Sequence, residues 1–355
     1  MAIEPSLKTR IAAITKAVVI GLIAGTVFDW LNTPLPWMIG PLIAIGGGNL
    51  LGYRLDAVPF GRQSGQLMIG TAVGLAFTPK VLAALLEHLG LVAAAGVLTI
   101  VIASLGALML SRFTGIDRTT AFFASVPGGA IEMAVLAERF GASVPAVALG
   151  QSVRVSIIVI TVPWVLTLSG VAGAEPVARL TLPFDPVVLT MMLAGGIAVG
   201  VIGVKLRIQN AFVLCPLFLS ASLTASDVEL SSVPQLLTNA AQLLFGLALG
   251  SHYRRDFFLR HKAFVPFTMI NAVYVIVVCT AAGALLAVFA GLPVASVVLG
   301  MAPGGIAEMA ITAQVLELAV ALVVAFHLVR VVMVNLGTPY LVRAVFALRQ
   351  RRNLF

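Results

Sequence analysis

Four charged residues stand inside apolar stretches of this 355-residue chain, and they form two matched pairs. Glu132 lies in Ser125-Val-Pro-Gly-Gly-Ala-Ile-Glu-Met-Ala134, and Glu308 in Met301-Ala-Pro-Gly-Gly-Ile-Ala-Glu-Met-Ala310. The two acids are 176 positions apart, and Arg154 and Arg330 keep the same separation. A carboxylate in apolar surroundings can serve as a proton or cation site; the equal alternative is a capping carboxylate or half of a structural ion pair. An arginine at the centre of a membrane span costs about 2.5–3.5 kcal/mol on insertion scales, so each needs a partner or an aqueous cavity. Two uses fit. The guanidinium fork could capture an anionic substrate, or Arg154 could pair with Glu132 and Arg330 with Glu308. Gln151 and His327 each lie three residues before an arginine and share its helix face. His327 is a titratable candidate or a hydrogen-bonded core histidine.

Each acid follows a Pro-Gly-Gly break. Proline cannot continue a helix but suits its first turn, and the glycines permit sharp turns and close approach. The expected local structure is a short apolar arm, a turn, and a helix starting near Gly128 or Gly304. Broken backbone at membrane depth is tolerated only inside protein or beside a water-filled cavity. A helix start there offers free N–H groups and a positive dipole end to an anion. The candidate substrate-binding set is Pro127, Gly128, Gly129, Arg154, Pro303, Gly304, Gly305 and Arg330. The candidate ion-coupling set is Glu132, Glu308 and His327. No metal set is expected, because the four histidines (88, 252, 261 and 327) are scattered and Cys215 and Cys279 are isolated. Phosphate loop, nucleophile elbow and dinucleotide fingerprint are all missing from the sequence. The expectation is therefore no catalytic residue, no cofactor and no enzyme.

The elements that must position these residues are membrane helices. The chain is 60% hydrophobic and 10% charged, against about 25% charged in soluble domains, and its mean hydropathy is +1.08. The fold class expected is an all-α polytopic membrane protein. In the first half the spans run Ile11–Trp30, Met38–Tyr53, from near Ser64 to a bend at Thr78-Pro79-Lys80, Leu91–Leu110, and Val144–Leu168 carrying Arg154; Thr119–Phe140 is interrupted by Pro127-Gly128-Gly129. The second half matches outside the motif too. Ala241-Gln-Leu-Leu-Phe-Gly-Leu-Ala-Leu-Gly250 parallels Gly65-Gln-Leu-Met-Ile-Gly-Thr-Ala-Val-Gly74, as a long-period duplication requires. The division expected is residues 1–175 as a first membrane repeat, with a connector to about 185, and 186–355 as a second.

Charge sets the orientation. Lys and Arg collect on the cytoplasmic side, and the net charge of +8 fits such loops without invoking nucleic acid. With both termini inside, Arg54/Arg62, Arg112/Arg118, Lys205/Arg207, Arg254/Arg255 and Arg349/Arg351/Arg352 fall inside if each Pro-Gly-Gly segment dips in and returns. Lys80 falls outside. Five crossings plus one re-entrant hairpin per half give about ten spans and oppositely oriented repeats, an architecture of many secondary transporters.

Pro36-Trp-Met-Ile-Gly-Pro-Leu42, the duplicated Pro-Gly-Gly-x-x-Glu-Met and the two-half layout resemble the AbrB-type bacterial membrane proteins, the AbrB duplication family. The resemblance covers nearly the whole chain. It implies a family whose members have been labelled regulators of gene expression, ammonia monooxygenases and transporters. No catalytic residues come with it. A monooxygenase needs a metal or organic cofactor, and a transcription factor needs a DNA-reading element; the sequence offers neither. The resulting expectation is an inner-membrane, ion-coupled secondary transporter of a small anionic metabolite. The alternative is a membrane-embedded regulator acting indirectly on gene expression, with the enzyme last. Expected partners are a small-molecule or ion substrate and the lipid bilayer, with a homo-oligomer open and no direct nucleic acid.

Overall fold

The computed structural model describes residues 7–170, 182–253, 255–260 and 264–352, with side chains left undescribed at 130–132, 257, 260, 336 and 338–352. Glu175, Arg254 and Lys262, and the side chains of Glu132, Arg349, Arg351 and Arg352, lie outside the described residues. Among the described residues every element is a helix. The first half holds α1 (Leu7–Trp30), α2 (Pro36–Leu51), α3 (Gly61–Gly74), α4 (Pro79–Glu87), α5 (Leu89–Thr114), α6 (Arg118–Ser125), α7 (Ala130–Arg139) and α8 (Val144–Leu168). The second holds α9 (Pro186–Lys205), α10 (Ala211–Ala225), α11 (Gln235–Ser251), α12 (Arg255–Arg260), α13 (Phe264–Ala290), α14 (Val294–Met301), α15 (Ile306–Val315) and α16 (Val320–Arg352). Five of these, α1, α5, α8, α9 and α13, are long and apolar enough to cross a membrane. A sixth crossing arises if α3 and α4 form one span bent by 90° at Thr78-Pro79, where the missing proline N–H breaks the ladder.

The helix order of the first half recurs in the second. Both ends of α6 and α7 recur at α14 and α15 with the 176-residue offset of the motif. Loop backbones match as well. Asn32 and Leu35 before α2, and Arg207 and Asn210 before α10, all take positive φ. Both α7 and α15 end in the six-to-one hydrogen bond of a Schellman cap, Ala142 N–H to Ala137 O and Leu318 N–H to Ala313 O. The left-handed residue is Gly141 in the first and Glu317 in the second. Only the glycine takes that geometry without strain.

The described chain forms two compact units, and each draws on both sequence halves. One comprises Met1–Ala84, Val159–Lys262 and Ala307–Ala321; the other comprises Leu85–Ile158, Ala263–Ile306 and Leu322–Phe355. In the first unit α1 packs on α2 and α9 on α10, while α2 packs on α11 and α10 on α3. Each half thus lends its second helix to the third helix of the other, and α3 meets its own counterpart α11. The exchange is reciprocal, α2 on α11 and α10 on α3.

Small residues make the exchange close. A Cβ on Gly246 would stand 2.5 Å from Met38 O and 2.9 Å from Pro41 Cβ, and one on Gly70 would strike Val213 O. Gly25 and Gly200 lie against the rings of Trp37 and Phe212, respectively, as small residues spaced by four do in membrane helix packing. Gly246→Ala is expected to destabilise by about 1–3 kcal/mol, because main chain cannot yield as a side chain does. Gly47→Ala, with nothing within 4 Å of its Cβ, is the control. Thermal unfolding in detergent checks it, and equal midpoints for the two variants would show that the α2–α11 crossing has slack.

Candidate functional site

The second unit holds both breaks and both arginines. Asp117 starts α6 by accepting from Thr120 N–H at 2.8 Å, a side-chain N-cap, and α6 stops at Ser125 where the proline follows. After eight residues in α6 and eight in α14, the chain makes the same tight turn twice. Gly128 N–H bonds Val126 O at 2.9 Å, and Gly304 N–H bonds Ala302 O at 2.8 Å. These are three-residue γ-turns centred on Pro127 and Pro303, whose fixed φ suits the inverse form. Gly129 is the N-cap of α7. Helices therefore restart at Ala130 and Ile306, two residues later than the sequence reading placed them, because the glycines are spent on the turn.

Broken helices leave carbonyls without partners, and two buried arginines supply donors. Arg154, 3% exposed, bonds Ser125 O and Val126 O through Nη1, both at 3.2 Å. Its Nη2 donates to Gln151 Oε1 at 2.7 Å, and its Nε reaches Pro303 O at 2.9 Å. Arg330, 2% exposed, bonds Ala302 O at 2.7 Å through Nη1 and Gly304 O at 2.5 Å through Nη2. Each guanidinium thus sits at the carbonyl end of a short helix, where a cation is favoured by the dipole. Charged hydrogen bonds of this kind are worth about 1.5–3 kcal/mol each. The bidentate anion fork expected of Arg330 is occupied by main chain in this conformation. Both guanidiniums reach the second break, Arg154 at Pro303 O and Arg330 at Ala302 O and Gly304 O, so the cluster concentrates positive charge.

The other predicted residues are each placed within their own unit. His327 is fully buried, and its Nδ1 lies 2.9 Å from Val323 O. A carbonyl only accepts, so Nδ1 carries the proton and Nε2, which has no partner, presents a lone pair. Glu308 is the third residue of α15 and is 3% exposed; it belongs to the first unit. Glu132 is likewise the third residue of α7, and its side chain lies outside the described residues. Phe123, Val126, Met133, Val147, Val275 and Cys279 form an apolar shell about the first break. In the first unit, a separate open cavity of about 280 Å³ is bounded by Asn32, Thr33, Pro34, Thr167, Val315, Leu316 and Glu317.

Two residues that build the site stand outside the predicted binding and coupling sets. Gln151 donates to Phe123 O at 2.7 Å and Val126 O at 2.9 Å while holding Arg154. Asn271 donates to Ser125 Oγ at 2.9 Å. Gln151 shared a face with Arg154 in the sequence, which was a usable signal; Asn271, a polar residue in an apolar run, pointed to a path lining or a helix bridge but not to its partner 146 positions away. Gln151→Leu is expected to cost about 2–4 kcal/mol, since Phe123 O and Nη2 of Arg154 lose their partner. Loss of the unfolding midpoint in Gln151→Leu, with partial recovery in Gln151→Asn, checks it; an unchanged midpoint would remove Gln151 from the site.

The whole arrangement can be set beside known proteins. Residues 6–346 match the family model described as transition state regulatory protein AbrB. The chain belongs to the AbrB family. Its relatives in that family include "Putative regulator AbrB" of Escherichia coli (strain K12), 23% identical over 337 residues, covering 94% of this chain and 97% of the relative. "Uncharacterized protein YhjN" of Bacillus subtilis (strain 168) is 26% identical over 347 residues, covering 89% of each. Both similarities run over most of each chain. The family resemblance read from Pro36–Leu42 and the duplicated Pro-Gly-Gly is thereby confirmed.

Proposed function

We propose that this AbrB-family protein is an ion-coupled secondary transporter of a small anionic metabolite. The observation that carries the reading is the pair of broken helices stabilised by buried arginines at matched positions. α6 and α14 have eight residues each, or about 12 Å of helix, less than half of a hydrocarbon core of about 30 Å. Breaks of that kind lie near the midplane, where transporters bind substrate. Two guanidiniums give the breaks a positive field, and the starts of α7 and α15 add dipole ends of the same sign. Glu132 and Glu308, one turn into those helices, are the coupling carboxylates, with His327 beside Arg330.

In this reading each half contributes five crossings and one re-entrant hairpin. The odd number inverts the second half, which agrees with the helix exchange in the first unit and keeps Arg62, Arg112, Lys205 and Arg255 on one side. The protein sits in the bacterial inner membrane with both termini cytoplasmic. It is not an enzyme, needs no cofactor, and contacts no nucleic acid directly. The second reading, a membrane-embedded regulator, is favoured by the family description and by the name of the E. coli relative.

The test pairs binding with flux. Purified protein is screened by thermal shift against small carboxylates, amines and inorganic ions. The stabilising anion is then offered to proteoliposomes under a proton or sodium gradient. Gradient-driven accumulation that is lost in a folded Glu308→Gln variant supports transport. Binding with no accumulation under either gradient favours the regulator.

A further inference from the structure

The hydrogen bonds at the two breaks differ, and at one atom the difference crosses from one half to the other. The repeat relates Arg154 to Arg330 and Pro127 to Pro303 by the same 176 positions. Nη1 of each arginine does the same thing in its own half, bonding Val126 O from Arg154 and Ala302 O from Arg330. Nε does not. From Arg154 it crosses to Pro303 O in the other half. From Arg330 it is buried without a hydrogen-bond partner. The bond that the repeat pairs with Arg154–Pro303 would run from Nε–H of Arg330 to Pro127 O. A buried guanidinium N–H left empty is costly, and native proteins keep few such groups. This orphan is the donor that the internal symmetry provides with an acceptor.

We propose that this conformation is one of two exchangeable states. In the other, Nε–H of Arg330 holds Pro127 O, and Nε–H of Arg154 has released Pro303 O. The inference deepens the transport reading and rests on its inverted repeat, since exchanging the roles of the two halves reverses the side that is open. One bond is made and one donor is empty in each state, so the states are balanced closely enough for a ligand to shift them. The halves are not wholly equivalent. Gln151 braces Nη2 of Arg154, whereas the residue at its place is His327 and Nη2 of Arg330 turns to Gly304 O. That difference sets which state the empty protein prefers.

Hydrogen–deuterium exchange at the two breaks tests the swap in wild type, Arg154→Lys and Arg330→Lys. Lysine keeps the charge and lacks the Nε–H. Each variant also loses the Nη bonds at its own break, so the reading is taken at the other one. Arg154→Lys is expected to speed exchange about tenfold around Pro303. Arg330→Lys is expected to speed it around Pro127, where Arg330 makes no bond in this conformation. Exchange around Pro127 unchanged in Arg330→Lys overturns the swap. Wild type supplies a second arm that needs neither variant. Spin labels at the exposed Arg118 and Val294, in a Cys215→Ser background with Cys279 buried, should give two distance populations. A single narrow population overturns the proposal. Reciprocal exchange with no flux of any anion keeps the swap and sinks transport; flux without reciprocity does the opposite.

Discussion

Arg154→Leu is expected to lower the stability of the folded protein by about 3–5 kcal/mol, a loss on the scale of removing one partner from a buried charged pair. Four acceptors lose their guanidinium, Ser125 O, Val126 O, Pro303 O and Gln151 Oε1, and of the carbonyls Val126 O keeps Gln151 Nε2 and Gly128 N–H as donors. A buried acceptor without a partner costs about 1–3 kcal/mol. Part of the loss is offset, because the variant no longer buries a charge beside Arg330. Arg154→Lys should recover some stability, as an ammonium can serve a carbonyl but cannot span all four groups at once. Thermal unfolding in detergent measures both. Equal midpoints for Arg154→Leu and wild type would mean that water or another donor already serves those carbonyls, and the arginine would be released for a substrate role alone.

Phe123→Ala should cost about as much, about 3–5 kcal/mol, for an apolar reason. Its ring is fully buried, lies 5.7 Å edge-on from Phe122 and stacks at 5.9 Å on Phe140. Truncation leaves a cavity beside the first break and loses the aromatic contacts. Phe122→Ala, on a half-buried ring, should cost less. Phe123→Leu, which refills most of the space, should restore most of the loss. If Phe123→Ala unfolds no earlier than Phe122→Ala, the apolar shell does not support the break and the arginine bonds carry it alone.

Particular residues show how far the sequence could be read. The duplicated Pro-Gly-Gly motif located both breaks and called for a turn at each; that it is a γ-turn, with helices restarting at Ala130 and Ile306, came from the structure. Long apolar runs located the helices of the candidate spans, and Thr78-Pro79 located the 90° bend. The motif also named both arginines as residues in need of partners. What it left open was the partner. Helical spacing says which residues share a face, and so it flagged Gln151; it says nothing of which distant carbonyl a guanidinium will meet.

The repeat offset, the all-helical class, the two broken helices and the family were determined by the sequence alone, because each rests on local rules: apolar length, proline geometry and self-similarity. Tertiary structure alone decided that α2 packs on α11 and α10 on α3, that the compact units cut across the sequence halves, and that Arg154 bonds Pro303 while Nε of Arg330 stays empty. Those facts depend on which of several equally apolar surfaces meet and which buried donors find acceptors across more than a hundred residues of chain. Matching Pro-Gly-Gly motifs, even with Gln151 set against His327, could not say which guanidinium donor would be left empty once both halves share one interior.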